Sequence, residues 1–248
     1  MDRMLYVAMS GAKQAMEQQA SVANNMANVS TPGFRAQVNS FRAVPVVVGE
    51  EAQTRAFVAA TTPGADFSHG PMTETGRALD VAVKGDGWFV VQTPGGGEAY
   101  TRVGNLQVGA DGQLMTMGAR PVVGEGGALV VPPGSTVQIT ANGTITARGA
   151  GDPLTGVGEV GRLKLVNPPT ADLVRGEDGL FRMRDGLPPA EADAAVTLAG
   201  GVVEGSNVNA VEAMVAMIAQ ARSFEMHMKS MQTANDNAQS ANKLLAYG

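Results

Sequence analysis

Apolar residues recur in alternating steps of three and four at both ends of this 248-residue chain, and nowhere between. Toward the C-terminus the series runs Met214, Met217, Ala221, Phe224, Met228, Met231, Asn235, Ala238, Asn242, Leu245. Toward the N-terminus it runs Leu5, Met9, Ala12, Met16, Gln19, Ala23, Met26. Such spacing marks the a and d positions of a coiled-coil seam. One seam cannot bury itself, so each helix needs a partner. The spacing therefore predicts long N- and C-terminal helices forming a coiled-coil-like pair, a mixed α and mainly β chain whose middle is inserted between its helical ends.

The boundaries of those helices are legible. Thr31-Pro32-Gly33 stops the first, because proline disfavours helix in the residue before it and glycine permits the turn after it. Its polar face is a mostly amide stripe of Gln14, Glu17, Gln18, Ser21, Asn24, Asn25 and Asn28, with few of the Lys and Glu of a solvated helix, which favours a hydrogen-bonding contact surface over a solvated face. The last helix opens at Asn209, with Glu212 three residues on, the spacing of a capping box with Asn in place of Ser or Thr. No Pro or Gly interrupts Ala210–Tyr247, so one helix of roughly 38 residues and about 57 Å is expected. Asn235 and Asn242 on the seam cost stability and fix register.

Charge separates the same regions. Asp2, Arg3, Lys13 and Glu17 cancel before Phe34, as do Glu212, Arg222, Glu225, Lys229, Asp236 and Lys243 after Gly205; the net charge of −5 lies in the middle. Neutral, charge-poor ends suit surfaces that other chains cover. No basic cluster with interleaved aromatics occurs, so nucleic acid is not an expected partner. The first residues lack the pattern of a cleavable signal peptide, and no run of 18 apolar residues predicts a membrane span.

Between the ends, 35–78 reads as an extended connector and 79–204 as an antiparallel β domain. Pro45 makes Ala43–Val48 an edge or extended strand. From Leu79 the apolar period becomes two. Asp86-Gly87, Asp111-Gly112, Asn142-Gly143, Asp178-Gly179 and Asp185-Gly186 then supply turns that tolerate positive φ. Trp88 and Phe89 read as the aromatic anchor of the sheet. Pro188-Pro189 with Glu191–Ala195 reads as a short excursion or a single helical turn.

Catalytic chemistry finds little footing. There is no Cys, and the two histidines, His69 and His227, are far from any metal-ligand spacing. His69, between Ser68 and Gly70, reads as a turn residue; His227 sits between two methionines. Gly95-Gly96-Gly97 and Gly124-Glu125-Gly126-Gly127 precede strands, not helix N-termini, and so read as hairpin loops instead of phosphate cradles. Asp80 and Asp86 flank one strand, with nothing in the sequence to bring a second carboxylate opposite Asp86. We expect no enzyme activity, no catalytic residues, no cofactor and no metal site.

Two long motifs carry a family resemblance. Ala23-Asn24-Asn25-Met26-Ala27-Asn28-Val29-Ser30-Thr31-Pro32-Gly33-Phe34-Arg35 resembles the N-terminal signature of bacterial flagellar rod and hook proteins. Glu204-Gly205-Ser206-Asn207-Val208-Asn209, followed by Met217-Ile218, Gln220, Arg222 and Phe224-Glu225, resembles their C-terminal signature. Within the family, Met1–Ala12 and Met228–Ala234 look like a proximal-rod subunit. Leu79–Phe89 and Tyr100–Leu106 are shared more widely, including with the distal rod. The motif residues carried over are Asn24, Asn25, Asn28, Thr31, Gly33, Phe34, Ser206, Asn207, Val208 and Arg222.

The resemblance implies a structural subunit of the torque-transmitting flagellar drive shaft. Its partners would be other rod subunits, further copies of itself in a helical assembly, and the flagellar type III export apparatus, with no stable membrane insertion. It implies export without a cleaved signal peptide and a place in the basal-body rod that spans the periplasm. It also implies terminal helices that order on assembly, with the β domain forming an outer layer. The alternatives left open are a distal-rod or hook-type subunit, a secreted carbohydrate-binding or hydrolytic β domain with oligomerising helices, and a peripheral membrane protein.

Overall fold

The computed structural model describes residues 2–39, 41–45, 56–60, 64–149 and 158–246. The chain is mixed α and β, with one long helix at each end and strands paired antiparallel throughout the described sheets. It divides into two compact units: residues 1–29, 37–65 and 208–248 form the first, and 30–36 with 66–207 form the second.

The first unit holds α1 (Asp2–Ala27) and α2 (Ala210–Ala246), which pack against each other. The start of α2 is set by Asn209. Its Oδ1 accepts from the Val211 N–H at 3.0 Å and the Glu212 N–H at 3.4 Å, satisfying two donors that lack an intrahelical partner. Glu212 in the first turn and Lys243 in the last both suit the helix dipole. At the end of α1 the Asn28 side chain donates back to the Asn24 carbonyl at 2.8 Å. Where a connector is expected, two strand pairs appear in this unit: Phe41–Pro45 with Ala56–Ala60, and Gln37–Val38 with Gly64–Ala65. Val46–Val48 and Thr61–Pro63 lie outside the described residues.

The second unit is built on a five-stranded antiparallel sheet. Its order is Leu165–Val166, Trp88–Gln92, Glu98–Thr101, Phe181–Met183, Leu173–Arg175. The second strand in this order is buried from Trp88 to Val91, so side chains pack on both faces. Phe89 and Val91 enter the main core with Val81, Leu106, Leu114, Leu163 and Leu198. Trp88, on the other face, meets Phe181 at 4.8 Å and Phe67 at 6.0 Å. The two aromatics therefore anchor opposite faces, as the period of two requires.

Asp111-Gly112, Asn142-Gly143 and Asp178-Gly179 each sit in the turn of a paired hairpin. Asp86-Gly87 does not. Val81–Lys84 pairs with Thr197–Gly200, whereas Trp88–Gln92 pairs with the five-stranded sheet, so this turn passes the chain between sheets. Pro188–Ala195 forms no helix.

Candidate assembly surface and the junction of the terminal motifs

Helix α1 turns small residues inward. Ala8, Ala12 and Ala15 are buried, while Leu5, Met9 and Met16 are exposed to 43%, 52% and 57%, and Ala23 is exposed. Gln19 and Met26 are half-buried. The reason is close approach: a Cβ added at Gly11 would stand 2.3 Å from His227 Cε1, so His227 of α2 occupies the space that a side chain would need.

Helix α2 keeps the spacing of three and four but shifts every second position. Ala213, Met217, Gln220, Phe224, His227, Met231, Ala234, Ala238 and Ala241 are all buried or half-buried. Met217, Phe224, Met231 and Ala238 belong to the series read from sequence. Met214, Met228, Asn235 and Asn242 of that series are exposed, and Ala221 is half-buried. The side chain of Leu245 lies outside the described residues. The shift leaves a second apolar stripe facing outward, with Val211, Val215, Ile218 and Met226 exposed to between 56% and 69%.

The amide-rich face of α1 has a definite partner. Asn25 Nδ2 donates to the Gln37 carbonyl at 2.9 Å and its Oδ1 accepts from the Gln37 N–H at 2.7 Å. The side chain thus copies the two bonds of a neighbouring strand. Ser21 Oγ donates to the same carbonyl at 3.3 Å, and Asn39 Nδ2 to the Glu17 carbonyl at 3.2 Å.

Within the second unit the motif residues Gly33, Phe34 and Asn207 and their neighbours, far apart in sequence, meet. The Gly33 N–H donates to the Glu204 carbonyl at 2.8 Å, and the Asn207 N–H to the Phe34 carbonyl at 3.3 Å. Asn207 Oδ1 accepts from the Ala36 N–H at 2.7 Å, while its Nδ2 donates to the carbonyls of Asp66 at 2.9 Å and Ser68 at 3.1 Å. Gly33 adopts φ +66°, and a Cβ there would lie 2.4 Å from the Arg102 carbonyl carbon, so both conformation and space demand glycine. Arg175 caps the junction: Nη1 donates to the Arg35 carbonyl at 2.6 Å, and the guanidinium lies 4.7 Å from the Phe34 ring centre. Burial holds the Arg175 pKa below its ordinary value. Ser206 is buried, Thr31 accepts from the Phe34 N–H at 3.3 Å, Asn24 and Arg222 are exposed, and Asn28 and Val208 are half-buried.

Sequence reasoning passed over the charges at the centre of this junction. Glu204 is fully buried between Arg35, 2.8 Å from Oε1, and Arg102, 3.2 Å from Oε2. Burial pulls the Arg102 pKa down, and the Glu204 carboxylate pulls it back up. His69 is more than a turn residue: its Nδ1 stands 3.8 Å from Glu204 Oε1 and its Nε2 3.4 Å from Asp86 Oδ1. Arg35 and Glu204 stand inside the two motif runs, and an isolated acid directly after Val202-Val203 was the available signal.

Among the described residues no group of three or more His, Asp or Glu is placed to hold a metal ion, and no helix is long and apolar enough to cross a membrane.

Three family models match along the chain. One described as flagella basal body rod protein covers residues 5–35, one described as flagellar hook protein FlgE/F/G D1 domain covers 82–147, and one described as flagellar basal body rod FlgEFG protein C-terminal covers 199–244. The chain is similar to the flagellar basal-body rod protein FlgF of Escherichia coli strain K12, 51% identical over 99% of each chain. It is 50% identical to FlgF of Salmonella typhimurium, again over 99% of each chain, and 30% identical to that of Buchnera aphidicola from Schizaphis graminum over 98% of each. With motifs at both ends meeting in one junction and identity of this extent along its whole length, the chain belongs to the FlgF family of flagellar basal-body rod proteins.

Proposed function

We propose that this chain is a structural subunit of the flagellar basal-body rod and that it joins its neighbours through the outward apolar faces of its terminal helices. The observation that carries the reading is the set of large apolar side chains those helices leave uncovered. On α1 these are Met4, Leu5, Tyr6, Val7, Met9 and Met16; on α2 they are Val211, Met214, Val215, Ile218, Met226 and Met228. Complete burial of such a side chain is worth about 1.5–3 kcal/mol, and these are already roughly half covered. Twelve of them therefore contribute on the order of 10 kcal/mol when neighbours close over them, comparable with the cost of immobilising a subunit, about 4–15 kcal/mol.

On this reading the helices form the assembling part, paired in coiled-coil fashion, and 79–204 forms a β domain inserted between them in sequence. The subunit sits in the proximal part of the rod, among other rod subunits and further copies of itself. It reaches that place through the flagellar type III export apparatus and performs no catalysis.

The test places charge on the outward stripe of α2. Val215 and Met226 are exposed to 62% and 65%, so Val215→Glu with Met226→Glu leaves the isolated chain folded. The double variant is expected to fail to restore swimming in soft agar to cells lacking their own copy, with the thermal unfolding of the purified protein unchanged. Swimming at the wild-type rate would refute the reading.

A further inference from the structure

Three charged side chains occupy the junction of the terminal motifs. The side chains of Arg35 and Glu204 are 0% exposed and that of Arg102 is 3% exposed. The single carboxylate is shared by both guanidinium groups and also accepts from the Gly70 N–H at 3.0 Å. One negative charge against two positive leaves a positive excess in the interior. Nε and Nη1 of Arg35 and Nε of Arg102 have no hydrogen-bond partner. Trp88 softens this, its ring centre lying 6.0 Å and 5.3 Å from the two Cζ atoms.

Such an arrangement is a poor way to gain stability. Desolvating three ions costs more than their mutual attraction returns unless every donor and acceptor is satisfied, and apolar residues of similar volume commonly serve as well or better. What the triad does is discriminate. The chain first enters this unit at Ser30 and last leaves it at Asn207, and the two passages lie side by side through the Gly33–Glu204 and Phe34–Asn207 bonds. The leaving strand, Val202–Glu204, pairs with Met72–Glu74. A slip of two residues keeps every side chain on its own face and brings Val202 to the position of Glu204. An apolar slot would accept valine. A slot built from two arginines would not, because both guanidinium groups would then be buried without a counter-charge.

We infer that Arg35, Glu204 and Arg102 form a register lock: they select which residues of the entering and leaving segments pair, and add little or nothing to stability. The lock ties segments 169 positions apart, so the unit closes correctly only after its last strand has been placed. Glu204 is a positioning residue here, acting through the backbone bonds of Gly33 and Asn207. The inference stands whether or not the helices assemble into a rod.

The test compares two variants of the full chain by thermal unfolding and residue-resolved amide exchange. In Arg35→Met/Arg102→Met/Glu204→Met, the melting temperature is expected at or above that of the wild type. The Gly33 and Asn207 amides are expected to exchange at least about tenfold faster, while the Val90 and Tyr100 amides of the central sheet keep their protection. Glu204→Gln, which strands two buried cations, is expected to lower the melting temperature by about 6–20 °C. Two results would overturn the lock. One is a triple variant whose Gly33 and Asn207 amides stay as slow as in the wild type. The other is a triple variant that melts as low as Glu204→Gln or fails to fold, which would make the triad a source of stability.

Discussion

Replacing Gly33 by alanine separates two costs that the structure superimposes at one residue. The first is conformational: φ is +66°, and an L-residue with a Cβ pays about 1–2 kcal/mol to remain in the left-handed region. The second is spatial. The new Cβ falls 2.4 Å from the Arg102 carbonyl carbon and 2.6 Å from both its oxygen and the Val103 nitrogen. All three are backbone atoms that cannot swing aside. Moving away stretches the Gly33 N–H bond to the Glu204 carbonyl, a loss of about 0.5–1.5 kcal/mol. Together the change costs about 2–4 kcal/mol, a fall in melting temperature of about 4–16 °C for a unit of this size.

Gly76 supplies the internal control. It shares the conformation at φ +70°, yet a Cβ there meets nothing within 4 Å. Gly76→Ala therefore pays only the conformational cost. Trp88 is the sole tryptophan and stacks at the same junction, so its fluorescence during urea unfolding reports both variants. Gly33→Ala is expected to be less stable than Gly76→Ala by at least about 1 kcal/mol. Equal losses would show that the approach of Gly33 to the Arg102 backbone carries no energetic weight.

Asn207→Ala removes the acceptor for the Ala36 N–H and the donors to Asp66 and Ser68; a loss of about 2–3 kcal/mol is expected in urea unfolding. Ala119 is the one non-glycine residue at positive φ among the described residues, +56°, and Ala119→Gly is expected to raise stability by about 0.5–1 kcal/mol in the same measurement, since glycine adopts this conformation without strain. Asp178 has its carboxyl pKa lowered from 3.8, first by the hydrogen bond from Arg182, with the Leu180 N–H and the Arg182 and Arg120 charges also lowering it and burial opposing. A depressed folded value means stability that is present above pH 3.8 and lost as the pH falls through the folded value. Melting temperatures taken from about pH 5 to about pH 2.5 should therefore fall less steeply in Asp178→Asn than in the wild type.

Local signals were the legible ones. Asn209 caps α2 because a side-chain oxygen must meet N–H groups that no earlier turn can satisfy, a requirement visible within four residues. Three Asx-Gly pairs lie in hairpins for the same reason. At Asp86-Gly87 the local chemistry indicates a turn, but the strand before it pairs with Thr197–Gly200, more than a hundred residues away, while the strand after it joins the five-stranded sheet, a divergence that no local signal carries. The junction was half visible. Both terminal motif runs were recognisable and Arg102 lies in the more widely shared run Tyr100–Leu106, but Arg175 comes from the β region and brings no motif of its own. Periodicity named the stripe on each helix that carries the larger side chains. It did not anticipate that two backbones approach most closely where side chains are smallest, at Ala8, Gly11, Ala12 and Ala15.

That inversion bears directly on assembly. Had the helix pair turned Leu5, Met9 and Met16 inward, its own closure would have consumed most of the apolar surface. The fully buried apolar residues of the pair are instead alanines, Ala8, Ala12 and Ala15 on α1 and Ala213 and Ala234 on α2, with Met217, Phe224 and Met231 half-buried beside them. At about 0.8 kcal/mol for each buried methyl-sized group, these five alanines supply only about 4 kcal/mol. The outward side chains hold on the order of 10 kcal/mol in reserve by the same reckoning. A subunit built this way leaves much of its apolar surface for neighbours to cover. Whatever covers the outward stripes of the folded pair therefore also stabilises the helices that carry them.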